Sequence, residues 1–166
     1  IQYCKNLKEF SAYGCYIQDF SILSELKSLE SLNLGSNGIE DISFLSELKN
    51  LTHLTLYFNY ISDISVLKNL VNLKELYISN NDINDISVLR NLVNLEHLNL
   101  INAGISDISP IENLINLKSL NLGENEISDI SPLRDLVNLE QLYLYDNKIF
   151  KLSHDDEESL SFQEYH

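Results

Sequence analysis

Apolar residues recur along this chain with a fixed period of 22 positions. One unit, VNLKELYISNNDINDISVLRNL, runs from Val71 to Leu92, and another, INLKSLNLGENEISDISPLRDL, from Ile115 to Leu136. The others start at Lys5, Lys27, Lys49, Val93 and Val137, so seven units keep phase without an insertion. Each opens on the spacing seen at Leu73, Leu76 and Ile78. The alternation at the end of that run is the period of a strand with one buried face. So short a strand is not stable alone, but stacked on its neighbours it becomes one rung of a parallel sheet. At a rung spacing of about 4.8 Å, seven units extend roughly 34 Å.

Self-similarity at this period, with this leucine spacing, marks stacked leucine-rich repeats. The expected fold class is an α/β solenoid, with a concave parallel β-sheet and short 3₁₀ or helical turns on the convex side. Residues 5–154 form the solenoid, residues 1–4 a partial N-terminal cap or linker, and residues 155–166 an acidic C-terminal tail or cap. The columns Phe10, Leu32, Leu54, Leu76, Leu98, Leu120, Leu142 and Ala12, Leu34, Leu56, Ile78, Leu100, Leu122, Leu144 point inward.

The polar columns have structural work to do. The column Cys15, Asn37, Asn59, Asn81, Ala103, Asn125, Asn147 follows each strand, where the chain turns and half-buried backbone groups need partners. An asparagine amide both donates and accepts, so the column predicts a ladder, with Cys15 buried in it and a local break at Ala103. Asp19, Asp41, Asp63, Asp85, Asp107 and Asp129 each stand two residues before a serine. The serine is expected to N-cap the next turn, helped by Pro110 and Pro132 in two units. The carboxylates lie one rung apart along an edge instead of converging on one point, so no metal site is expected.

The composition narrows the partners. The formal charge is −14, from 11 basic and 25 acidic residues, which disfavours nucleic acid and anionic membrane surfaces. No apolar run approaches the roughly 18 residues of a membrane helix. Two cysteines, Cys4 and Cys15, make no disulfide framework. The chain begins at Ile1 and has no methionine, and is read as a processed protein or a fragment. Asp155–Glu158 are four consecutive acids, after which Leu160, Phe162 and Tyr165 are expected to cover the last rung.

Function is expected on the outward strand positions, which make an even, rigid surface. Three outward columns run from Glu9 to Gln141, Ser11 to Tyr143 and Tyr13 to Tyr145 in steps of one repeat. Tyr57, Phe58, Tyr60 and Tyr77 should cluster near the third and fourth rungs, with Tyr143 and Tyr145 on the seventh. Tyrosine gives a large, stiff contact and is common in binding hot spots. Glu75 and His97 flank the middle cluster, and Ile101 is an apolar residue turned outward. Gly35 and Gly123 are read as open gaps where a partner can approach. His53 and His97 are two rungs apart, too far to share an ion. No phosphate loop, HExxH or CxxC motif is present. The chain is therefore expected to be a non-catalytic protein-binding module, without cofactor or metal and monomeric in isolation.

The repeats resemble the 22-residue leucine-rich repeats of bacterial internalins, most closely in NLKSLNLGENEISDISPLRDLVNL and NLEHLNLINAGISDISPIENLINL. The resemblance covers about residues 5 to 152. It implies a secreted or surface protein whose concave face grips a host or cell-surface protein through aromatic side chains. That role would fall on Tyr57, Phe58, Tyr77, Ile101, Tyr143 and Tyr145. The helical cap and the immunoglobulin-like module that flank internalin repeats have no counterpart in this sequence. The alternative is a cytoplasmic scaffold or regulatory subunit, similar to the phosphatase-regulatory repeat proteins.

Overall fold

Seven three-residue strands form one parallel sheet in sequence order: β1 (Glu9–Ser11), β2 (Ser31–Asn33), β3 (His53–Thr55), β4 (Glu75–Tyr77), β5 (His97–Asn99), β6 (Ser119–Asn121) and β7 (Gln141–Tyr143). The computed structural model describes residues 1–150 apart from Gln2 and Gln18. The register is the repeat itself: Leu54 pairs with Leu76 and Leu76 with Leu98. Among the described residues the convex side carries six 3₁₀ turns, three of them Ser21–Glu25, Ser65–Asn69 and Ser109–Ile111. The fold is therefore the expected solenoid, and every helical turn among the described residues is 3₁₀. The two prolines shorten theirs, since Ser109–Ile111 and Ser131–Leu133 have three residues where the other four have five.

The core is a set of leucine and isoleucine columns running the length of the stack. Leu54, Leu56, Leu76, Ile78, Leu120 and Leu122 are all fully buried. Leu89 and Leu92 hold the convex turn against them, as do Leu133 and Leu136. Burying one such side chain contributes about 1.5–3 kcal/mol. At the ends, where a rung has one neighbour, Phe10, Leu142 and Leu144 are only half-buried.

The asparagine ladder forms. Asn59 shows the pattern: its Oδ1 accepts from the N–H groups of Asn37 (3.1 Å) and Ile39 (2.9 Å) on the preceding rung. Its Nδ2 donates to the carbonyls of Leu34 (3.2 Å) and Leu56 (2.7 Å). Asn125 repeats this, accepting from Ala103 and Ile105 and donating to Leu100 and Leu122. Ala103 is buried and breaks the relay as expected, because its methyl offers no acceptor to the N–H groups of Asn81 and Ile83. The backbone compensates in part. Asn84 N–H donates to Ala103 O at 3.1 Å, and Asn84 and Gly104 both take left-handed conformations, with φ of 55° and 72°.

A second ladder was not anticipated. Asn50, Asn72, Asn94, Asn116 and Asn138 each donate Nδ2 to a carbonyl 23 residues back, at 2.8–2.9 Å. The signal was in the sequence, as an asparagine immediately before the first leucine of six of the seven units, Asn6 being the one with no rung before it.

Two expectations are corrected. The serines do not cap the 3₁₀ turns: each is the first residue of its turn, and no cap side chain bonds there. The aspartates do the capping, with Oδ1 accepting the serine N–H at 2.7–2.9 Å in all six units. A carboxylate two residues earlier reaches that N–H, and its negative charge makes the bond stronger than a hydroxyl would. Cys15 is exposed, not buried, and both cysteines are free. It stands on the terminal rung with no rung before it, donating Sγ weakly to Tyr13 O at 3.5 Å. The predicted covering of the last rung by Leu160, Phe162 and Tyr165 lies outside the described residues.

Candidate functional site on the concave sheet

The strands place one side chain in and two out, so the concave face is built from the residues on either side of each buried central leucine. Beyond the strand, a further column turns onto the same lip. It consists of Gly14, Ser36, Phe58, Asn80, Asn102, Glu124 and Asp146, and every member is left-handed, with φ between 48° and 62°. Glycine, asparagine and aspartate tolerate that geometry, while a bulky residue there is a true outlier. Phe58, at φ 53°, is the only aromatic residue in the column, and it is 58% exposed.

Around it the structure gathers an aromatic string. The Tyr13 and Tyr57 rings meet with centroids 5.9 Å apart, although a whole rung separates them. Gly35 makes this possible: a Cβ on it would lie 3.1 Å from Tyr57 Cζ and 3.2 Å from Tyr13 Cδ2. Phe58 then stands edge-on to Tyr57 at 5.8 Å. At the other end the Tyr145 ring lies over Gly123, and a Cβ there would collide with it. Gly35 and Gly123 are thus buried seats for tyrosines and not the open gaps expected, because a neighbouring ring gains contact area by folding onto bare backbone.

The remaining candidates divide by place. Tyr77 is half-buried and donates its hydroxyl to Glu75 Oε2 at 3.3 Å. Burial first, and then the Glu75 charge, push the Tyr77 hydroxyl above the usual phenol range. Glu75 Oε1 lies 3.4 Å from His53 Nε2. On the other side Glu75 pairs in register with His97. Tyr60 is 70% exposed and sits beyond the concave strand, beside Gly38. Ile101 is half-buried, its N–H held by Asn99 Oδ1 at 3.1 Å. Tyr143 and Tyr145 are 39% and 46% exposed. Ring contacts join Tyr57 to Tyr13 and Phe58; Tyr77 joins Glu75, and the rung-seven tyrosines stand apart.

The edge at the start of the strands carries an alternating charge column that sequence reasoning missed. Lys8 Nζ meets Glu30 at 2.6 Å, and Glu96 lies between Lys74 (3.6 Å) and Lys118 (2.6 Å). The Lys118 hydrogen bond, and then its charge, hold the Glu96 carboxyl below its usual range. Opposite charges 22 residues apart were visible in the sequence as the column Lys8, Glu30, Thr52, Lys74, Glu96, Lys118, Glu140. Among the described residues no cluster of metal-ligating side chains occurs, and no helix is long and apolar enough to cross a membrane.

Comparison with known proteins agrees with this geometry. The family described as "Leucine Rich repeats (2 copies)" matches residues 5–47, 27–69, 71–114 and 115–155. Internalin C2 of Listeria monocytogenes is 36% identical, with a TM-score of 0.86 over 92% of this chain and 67% of that one. A second Listeria monocytogenes internalin, inlF, is 35% identical, with a TM-score of 0.74 over 91% of this chain and 52% of that one. A leucine-rich repeat protein of Leptospira interrogans is 29% identical, with a TM-score of 0.85 over 93% of this chain and 41% of that one. The chain thus spans about two thirds of the first of these and about half or less of the other two. A search of curated proteins finds no match.

Proposed function

Because the chain belongs to the leucine-rich repeat family and its repeats are homologous to those of bacterial internalins, we propose that it is a secreted or surface-displayed bacterial module that binds a protein of a host or neighbouring cell. The fold is a non-catalytic scaffold typical of protein-binding modules. The binding face is the concave sheet, through Tyr57, Phe58, Glu75, Tyr77, His97, Ile101, Tyr143 and Tyr145, with Tyr60 beyond the strands at its border. The observation that carries this reading is Phe58, an exposed aromatic side chain held in left-handed backbone where other rungs place small or polar residues. Strain of this kind persists where the surroundings over-determine it, and it clusters at binding sites.

The test is capture of extracellular and cell-surface proteins by the intact chain, beside a Tyr57→Ala, Phe58→Ala, Tyr77→Ala variant shown to be folded. Truncating hot-spot aromatics typically costs at least about 2 kcal/mol, so the variant should lose the captured protein. Equal capture by both would move the site off this face.

A further inference from the structure

The concave face has a charge asymmetry that bears on its partner. The chain has 11 lysines and arginines, yet the four outward columns contain none. They carry four acids: Glu9, Glu75, Glu124 and Asp146. Basic side chains sit elsewhere, several against acids of their own, as in Lys8–Glu30, Lys118–Glu96 and Lys148–Glu126. Glu9 stands on rung one and Glu75 on rung four, while Glu124 and Asp146 are the two on adjacent rungs, six and seven. Glu75 is already engaged by His53 and Tyr77. Glu124 and Asp146 are exposed, stand one repeat apart in the left-handed column, and have no ion-pair partner among the described residues. Adjacent rungs lie roughly 4.8 Å apart, and like charges at that separation repel. Beside them Tyr145 is seated on Gly123 with its ring partly open to solvent.

From this we infer that the concave sheet docks a basic protein surface in one orientation. An arginine or lysine of the partner meets Glu124, Asp146 and Tyr145, and an apolar side chain of the partner meets Tyr57 and Phe58. This rests on the concave-face reading above and adds the chemistry and polarity of the partner. A guanidinium suits the C-terminal site because it can bond two carboxylates and stack on an aromatic face. It also relieves the Glu124–Asp146 repulsion, which a neutral group leaves in place. The aromatic string occupies rungs one to three, while the adjacent pair Glu124 and Asp146 occupies rungs six and seven. Three to four rungs separate Phe58 from the acids, so the partner's apolar and cationic anchors lie roughly 14–19 Å apart.

The probe is a hexa-arginine peptide, with hexa-glutamate as its counterpart, titrated into the ¹⁵N-labelled chain at physiological salt. Hexa-arginine should shift the amides of Gly123–Asn125 and Tyr143–Asn147. A Glu124→Gln, Asp146→Asn variant should bind it at least tenfold more weakly. Removing the same charge from the convex side, with Glu112→Gln and Asp135→Asn, should change binding less than twofold. Both pairs are exposed, so the amide spectrum reports folding directly. Equal weakening by the two variants, shifts spread along the convex aspartates, or preference for hexa-glutamate would each overturn the inference. The concave-face reading stands or falls separately, on the Tyr57, Phe58, Tyr77 capture experiment: a partner lost there, with hexa-arginine failing here, keeps the face and removes the basic partner.

Discussion

Phe58 is a residue at which the proposed binding role can be separated from stability. Left-handed backbone costs an ordinary L-residue roughly 1–2 kcal/mol, and asparagine is among the few side chains that accept it. The next two rungs already place Asn80 and Asn102 in this column, joined by an Nδ2–Oδ1 bond of 3.1 Å. Phe58→Asn therefore removes strain and loses only the edge contact with Tyr57, worth about 0.5–1.5 kcal/mol. The two nearly cancel, so denaturant unfolding should move by less than about 1 kcal/mol. Partner affinity should fall by about 2 kcal/mol, roughly 30-fold, because the exposed ring is gone. A large loss of stability with unchanged affinity would make Phe58 a packing residue. This residue also shows what the sequence conceals. An aromatic in the repeat is visible as a candidate, but its left-handed backbone emerges only from the fold. Gly35 and Gly123 conceal more, since a glycine on an outward strand reads as empty space until a tyrosine from the neighbouring rung is found lying on it.

At the level of one repeat, two polar devices hold the turn, and they respond to different tests. Asn59 serves two buried N–H groups and two carbonyls. Each buried donor left without a partner costs about 1–3 kcal/mol, so with two donors orphaned Asn59→Ala should destabilise the chain by at least ~2 kcal/mol in denaturant unfolding. A cost below about 1 kcal/mol would mean that the ladder is redundant. The aspartate caps titrate instead. In Asp19, Asp63 and Asp107 the serine backbone N–H bond, and then the serine side chain, hold the carboxyl below its ordinary value of 3.8. A folded-state pKa below the unfolded one adds stability that is fully present above the unfolded value and is lost as pH falls through the folded one. Melting temperature should thus drop as pH is lowered below about 4. In an Asp19→Asn, Asp63→Asn, Asp107→Asn variant, whose amide oxygens can still accept the serine N–H, the drop should be shallower. The element type and register of these turns were legible because an apolar column and a serine recur every 22 residues. Which neighbour did the capping was not legible, since aspartate and serine both satisfy the same pattern and only geometry separates them.

Across the whole molecule, the repeat made the fold readable and left the site obscure for the same physical reason. Inward columns must fit the same neighbours at every rung, so they converge on leucine and isoleucine. Outward positions answer only to a partner that is absent from the chain, and Glu124 and Asp146 carry no pattern that marks them apart from other surface acids. Stability in such a stack is nearly a sum of rung terms and interfaces between neighbours, so one poor interface has consequences for the whole array. The junction between rungs four and five is that interface. Opposite Asn81 and Ile83, Ala103 replaces the acceptor that the corresponding Asn37 and Ile39 find in Asn59. The left-handed pair Asn84 and Gly104 marks the same junction. Hydrogen exchange should therefore be faster at Asn81 and Ile83 than at Asn37 and Ile39 or at Ala103 and Ile105, all on inner rungs. Ala103→Asn supplies the missing carboxamide, and it should slow exchange at both amides and raise stability by about 1–2 kcal/mol. If exchange at Asn81 and Ile83 already matches the other rungs, the Asn84 to Ala103 bond alone restores the junction, and the array unfolds from its ends instead of its middle.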